Sequence, residues 1–401
     1  MKLAVITSHP IQYYAPWFKY LAQTEIQLKI FYLWNFGITE QIDPDFEKPI
    51  KWDIPLLEGY DYQFITNASK NPGTHSFWGL QNPSLTKEVK QYNPDAVMLI
   101  GYNYASLYRF IWQWRKTKIP LIFRGDSHIL SPQTGWKKNL KRAFISFIYR
   151  QFEAVLYVGQ ANYEYFRYHH VKDNKLFFAP HSVDNQRFIK FADIAKQQAK
   201  SWKQELGIPS DNRVIVFAGK FNQKKCPLDL LRAYFAAKLT NVSLLFVGSG
   251  ELESQLKQQA GDCPHIYFAP FQNQALMPRT YALADLFVLP SNGNKETWGL
   301  AINEAMCLSR PIIVSDRVGC AGDLIFPNQN GLVFPAGNVE ALAKSLEVAF
   351  SDGQRLKQWG QKSYEIVSQY SYAQTTKGLI QALNYLNINS QNKPELELVH
   401  K

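Results

Sequence analysis

Short apolar runs, recurring with helix-length stretches between them, constrain this chain more than any other feature. They fall at residues 3–7, 28–33, 96–100, 121–124 and 154–158, and again at 214–218, 243–247, 266–269, 286–289 and 312–315. Each is too short for a helix and carries almost no polar residue, the pattern of a strand buried on both faces. Such strands need helices above and below them, so the alternation predicts an α/β fold with doubly wound parallel sheets. The 401 residues also exceed what one core serves, about 250–300 residues. Two Rossmann-like domains are expected, 1–184 and 185–371, divided where Pro180 ends a strand and a polar helical stretch, 189–207, follows. Residues 372–386 read as a last helix able to cross back onto the first domain, and 387–401 as a polar tail.

Composition removes several classes. With 46% hydrophobic and 19% charged residues the chain is not disordered. No apolar run approaches the roughly 18–20 residues needed to cross a bilayer. The first ten residues read as a strand, not a leader peptide, so a cytoplasmic protein is expected. The four cysteines form no C-x-x-C pair and imply neither a disulfide framework nor a zinc site. The net charge of +11 divides as +6 over residues 1–185 and +5 over the rest, so there is no basic arm. A nucleic-acid-binding protein is one alternative, with salt-sensitive affinity as its signature, but no recognised binding module is present and no nucleic-acid partner is expected. A two-domain NAD(P)-dependent oxidoreductase is another, and it lacks the G-x-G-x-x-G that opens a first helix.

The chemistry concentrates in residues 290–311, where the run 286–289 gives way to a loop and then a helix expected over 299–308. That loop lies at a strand's carboxyl end, where ligands bind in open α/β sheets, and a helix start offers free N–H groups to a diphosphate. Glu296 precedes the helix and Glu304 lies one to two turns inside it, so the two carboxylates can bracket a ligand. Lys220, Lys224 and Lys225 follow the run 214–218 and face the mouth of the same sheet, as do Gly219 and, after 243–247, Gly248. Fixed cations there lower the barrier to departure of a diphosphate without any proton transfer.

Glu296, Gly299, Leu300, Glu304, Ala305, Met306 and Pro311, followed by Ile312–Asp316, resemble the E-x7-E block of the retaining glycosyltransferases of family 4, the group 1 enzymes. The resemblance is dense over 214–335 and thinner before it. It implies a GT-B fold, two Rossmann-like domains facing across a cleft, and transfer of a sugar from a UDP- or GDP-sugar to the hydroxyl of a glycan, lipid-linked or small-molecule acceptor, in glycan or glycolipid synthesis. It makes Glu296, Lys220 and Lys225 catalytic and assigns the donor to Glu304, Gly299, Leu300, Thr297, Trp298, Gly219, Gly248 and Phe271. Glu304 would meet the ribose, Glu296 the donor sugar and the residues around Phe271 the base. Here Lys220 stands where the family often has arginine, and Cys226 where it has glycine.

The first domain departs further. Residues 8–16 contain no glycine, and Arg124 takes the place of a histidine the family often carries near the sugar. His9, Arg124, Asp126 and His128 are expected on the acceptor side, against capping by His9 and an Arg124–Asp126 ion pair as structural alternatives. Asp43-Pro-Asp45 matches the D-x-D of metal-dependent glycosyltransferases in letters only, since proline fixes it in a loop, and no metal or other cofactor is expected. Residues 136–150 set apolar side chains at helical spacing beside Lys137, Lys138, Lys141 and Arg142. That is either a core-facing helix with solvated lysines or a peripheral contact with anionic lipid at the inner face of the membrane.

Overall fold

The computed structural model describes residues 1–38, 41–43, 48–130, 137–293 and 296–391. Asp45, Trp136 and the chain beyond 391 therefore lie outside the described residues, as do the side chains of Lys137 and Lys138.

Seven parallel strands make the first sheet, in the order Asp61–Phe64, Gln27–Tyr32, Lys2–Thr7, Ala96–Ile100, Leu121–Arg124, Ala154–Tyr157, Leu176–Phe178. Six make the second, in the order Ile266–Ala269, Val242–Val247, Arg213–Ala218, Leu286–Leu289, Ile312–Ser315, Gly331–Phe334, again all parallel. The expected fold class is thus the observed one. The periodicity of two shows in the packing. Leu3 and Val5 point to one side of the first sheet, with Trp17 and Phe18, while Ala4 and Ile6 join Phe110, Trp114 and Phe166 on the other. In the second sheet Val214 and Val216 face Tyr281, Ile302 and Met306, while Ile215 and Phe217 face Leu230, Leu231 and Leu346.

The stretch expected as one helix over 189–207 is two, Asn185–Lys190 and Ala192–Glu205; the side chain of Asp184 caps the first by accepting from the Arg187 N–H at 3.0 Å. The last helix, Tyr372–Gln391, lays Leu379, Ala382, Leu383 and Leu386 into the apolar layer of the first sheet, and Thr376 accepts a hydrogen bond from the Trp17 indole at 3.1 Å.

Both sheets have a topological switch point, between Lys2–Thr7 and Ala96–Ile100 in the first and between Arg213–Ala218 and Leu286–Leu289 in the second. Loops leaving such a pair diverge and open a crevice at the strands' carboxyl ends. The functional side chains described next come from these loops.

Candidate active site

One cavity of about 530 Å³ lies between the two halves, lined by loops of both. It takes in Gly219, Lys220, Lys225, Gly248, Phe271, Glu296, Thr297, Trp298, Gly299, Leu300 and Glu304 from the second half and Gln12, Tyr13, Trp52, Asp126 and His181 from the first. Its size falls within the range of small-molecule sites, about 300–1,000 Å³.

The helix Leu300–Cys307 begins at this cavity. Gly299 caps it with a left-handed φ of 102°, and a side chain there would press on Val318. Among the described residues no side chain caps this end. Its first N–H groups therefore keep their hydrogen-bonding capacity and the positive end of the helix dipole, beside Gly299, Leu300 and Ala301 in the cavity wall. On the neighbouring strand ends Gly248 approaches the Gly219 carbonyl so closely that a β-carbon would lie 2.0 Å from its oxygen. Only glycine allows that approach.

Glu296 is 6% exposed, and its Oε2 accepts from Lys225 Nζ at 2.6 Å and from Ser291 Oγ at 3.2 Å. Burial alone would raise this carboxyl, but Lys225 and then Lys224 outweigh it and hold the group below its ordinary range. Glu304 is 2% exposed; its Oε2 accepts from the Tyr281 hydroxyl at 2.7 Å, and its Oε1 has no hydrogen-bond partner among the described residues. Burial pushes this carboxyl up, against the pull of Tyr281 and Arg187. A buried acceptor without a donor is costly unless something supplies one. The two glutamates are thus electrostatically unlike, one neutralised by a lysine and one awaiting a donor.

Of the four acceptor-side residues read from the sequence, Asp126 alone lines the cavity. Its Oδ2 accepts from Thr297 Oγ1 at 2.6 Å and lies 3.4 Å from His181 Nε2. Burial would raise the Asp126 carboxyl, yet the His181 and Thr297 hydrogen bonds bring it down to about 2. Arg124 does not reach the cavity. It is 1% exposed, donates to the carbonyls of Ala179 at 2.7 Å and Pro180 at 3.2 Å, and lies over the Trp17 ring at 5.0 Å. His9 packs edge-on against Trp34 and Phe36 with Nδ1 2.9 Å from Ser8 Oγ, and burial lowers its pKa to about 4. His128 bridges the halves through Nε2, 3.0 Å from the Glu296 carbonyl oxygen. Tyr13, Trp52, His181 and Tyr281 line the cavity but were not singled out in the sequence, because each lies in a loop or helix without motif spacing. Among the described residues no three His, Cys, Asp or Glu side chains gather as a metal cluster.

Two parallel α/β sheets facing across a shared cavity define the GT-B class of glycosyltransferase fold. Residues 198–366 match the family described as Glycosyl transferases group 1. Among curated proteins it is similar to an uncharacterized glycosyltransferase of Methanocaldococcus jannaschii, 26% identical over 176 residues (43% of either chain). It is also similar to the D-inositol 3-phosphate glycosyltransferase of Mycolicibacterium smegmatis, 28% identical over 183 residues (43% of this chain, 40% of that one). The matched region spans about two fifths of the length of these curated relatives. The whole fold is similar to that of Anabaena HepE in complex with UDP, with TM-score 0.73 and 18% identity over 96% of this chain and 100% of that one. A glycosyltransferase of Rickettsia africae gives TM-score 0.73 and 17% identity over 96% and 98%.

Proposed function

We propose that the chain transfers a sugar from a nucleoside-diphosphate sugar to an acceptor hydroxyl with retention of anomeric configuration. What carries this reading is the convergence on one cavity of an uncapped helix start, lysines at a strand end and a buried carboxylate with an unpaired oxygen. Glu304 Oε1 accepts from a ribose hydroxyl, which supplies the missing donor. The diphosphate rests against the amides at Leu300 and Ala301, with Lys220 and Lys225 countering its charge as it departs. Glu296 aligns Lys225 and meets the donor sugar, with Thr297, Trp298, Gly219 and Gly248 completing the donor wall and Phe271 beside the base. No side chain is assigned as a covalent nucleophile; as in the family it resembles, a donor phosphate oxygen takes the acceptor proton on the face the leaving group vacates. In this reading lysines and amides meet the diphosphate's charge without a metal. Residues 1–184 carry the acceptor side and 185–371 the donor side. UDP is bound in similar structures, so a uridine donor is the first to try.

The acceptor is assigned to a lipid-linked or glycan hydroxyl at the inner face of a membrane. Among the described residues no helix is long and apolar enough to cross one. On the helix Lys137–Tyr149, however, Leu140, Phe144 and Phe147 are 64%, 51% and 48% exposed, whereas Ile145, Ile148 and Tyr149 are buried. Phe144 stacks on Tyr108, Tyr108 meets Phe77, and Phe77 meets the exposed Trp78, so the apolar surface continues onto other elements. Exposed Lys141 and Arg150 border it. Such a surface suits anionic lipid.

Mass spectrometry of the protein incubated with a panel of UDP- and GDP-sugars tests the enzymatic reading. Release of one nucleoside diphosphate, even by slow hydrolysis, is expected. Binding of NAD(P) with no turnover of any nucleotide sugar would overturn it.

A further inference from the structure

The Lys51–Asp53 segment belongs to the first half of the chain, yet it is tied to the loop around residues 271–275 of the second. Asn273 Nδ2 donates to the Lys51 carbonyl at 2.7 Å, and the Ala275 N–H donates to the Asp53 carboxylate at 3.0 and 3.2 Å. Between these two ties Trp52 lines the cavity, its ring centroid 6.5 Å from that of Phe271 at an interplanar angle of 62°. The indole packs against Gly37, where a β-carbon would come within 3.0 Å of it. Neither Trp52 nor Phe271 belongs to any of the four apolar clusters that fill the two faces of the sheets. Two large rings outside those four clusters thus meet in the cavity wall, one from each half.

We propose that Trp52 is a further donor-binding residue, whose indole forms with Phe271 an aromatic corner against which the donor's base packs. The Lys51–Asp53 segment latches that corner shut through Asn273 and Ala275. The proposal rests on the nucleotide-sugar reading given above. Every base has an apolar π face, and an aromatic wall holds it whatever its hydrogen-bonding edge.

Calorimetric titration of the full chain with UDP, GDP and inorganic pyrophosphate tests this. Trp52→Ala should weaken binding of the preferred nucleotide about tenfold, the usual scale for truncating a stacking ring, and leave pyrophosphate binding unchanged. Trp52→Phe should recover most of the loss. Asp53→Ala combined with Asn273→Ala keeps the indole but cuts the ties, and should weaken nucleotide by about two- to fivefold, again sparing pyrophosphate. In turnover the Trp52→Ala loss should appear in the donor KM with kcat nearly unchanged. Unchanged nucleotide affinity in Trp52→Ala, or an equal loss for pyrophosphate, overturns the proposal. If the unaltered chain binds nucleotide no tighter than pyrophosphate, the base site fails while the diphosphate site stands. If it binds neither, the nucleotide-sugar reading fails with it.

Discussion

Replacing Lys225 by alanine should lower stability and turnover by amounts that can be measured separately. Its ammonium lies 2.6 Å from Glu296 Oε2, with side chains 19% and 8% exposed. At an effective dielectric constant of about 20, unit charges at that separation attract by about 6 kcal/mol, and desolvation of the two ions takes back several. Removing one partner costs more than the pair's net worth, because the other stays buried: about 3–5 kcal/mol. The partial exposure of Lys225 and the nearby charge of Lys224 put this case at the low end, about 3 kcal/mol. In a domain of about 200 residues each kcal/mol moves the melting temperature by roughly 2–4 °C, so calorimetry should show the second domain's transition about 6–12 °C lower. The Lys225→Ala/Glu296→Ala double variant should recover about half of that, since no lone charge remains. Turnover should fall about 10²-fold, the scale of one lost charge-stabilising donor. A drop within about 2 °C, or a double variant as low as the two single losses combined, would refute the pairing on which the donor-side electrostatics rest.

The same carboxylate sets a pH dependence. Its folded pKa lies below the ordinary 4.5, so it stabilises the fold above that pH and loses the contribution as pH falls through the lower folded value. The melting-temperature gap between the unaltered chain and Glu296→Gln should be constant from about pH 8 to 5.5 and close from about pH 4.5 downward; a gap that widens in acid contradicts it. Glu304→Ala should weaken UDP or GDP binding about tenfold or more by titration, the scale of a hydrogen bond to a charged group, and unaltered affinity removes the ribose assignment. Arg124→Leu should lower the melting temperature, because the Ala179 carbonyl loses the Arg124 donor and that of Pro180 keeps only Thr375, yet leave nucleotide affinity within about twofold; a selective loss of affinity would return Arg124 to the site. Phe144→Ser with Phe147→Ser should reduce co-sedimentation with phosphatidylserine-containing vesicles by about tenfold without changing nucleotide binding, whereas equal sedimentation excludes this face as the lipid contact.

The interior strands were the readable ones throughout, whereas the edge strands were read only in part. Runs such as 96–100, 121–124 and 286–289 coincide with Ala96–Ile100, Leu121–Arg124 and Leu286–Leu289, because interior strands covered on both faces admit almost nothing polar. In the two large sheets the strands that escaped the pattern, Asp61–Phe64 and Gly331–Phe334, are at edges, whereas Leu176–Phe178 and Ile266–Ala269, also at edges, were read. Asp61 and Tyr62 are exposed, so composition does not distinguish that segment from a loop. The break at Phe191 was missed although a signal stood beside it: Asp184 is a favoured capping residue and starts a helix four residues ahead of the one expected.

The site divides along a similar line. Gly219, Lys220, Lys225, Gly248 and Glu296 lie in loops that follow an apolar strand, and Glu304 in the helix after one; in a parallel sheet that alone delivers them to the carboxyl-end crevice. Their arrival at one cavity needed only local sequence and strand order. The first half's contribution depends instead on partners far along the chain: Asp126 on Thr297, 171 residues away, His128 on Glu296, 168 away, and the Asp323 carboxylate on the Gln160 N–H, 163 away. No spacing rule encodes such pairs. Arg124 shows the consequence, since a cation at the end of a strand reads as facing a ligand, whereas nearby backbone carbonyls and the Trp17 ring take up its charge inside the first half. Trp52 shows the converse, since a lone tryptophan between polar residues carries no motif, and its place in the cavity wall depends on contacts with Asn273, Ala275 and Phe271, over 200 residues away. Residues that build their own loop's end of the cleft are therefore readable from a single chain, and residues that join the two halves across it are not.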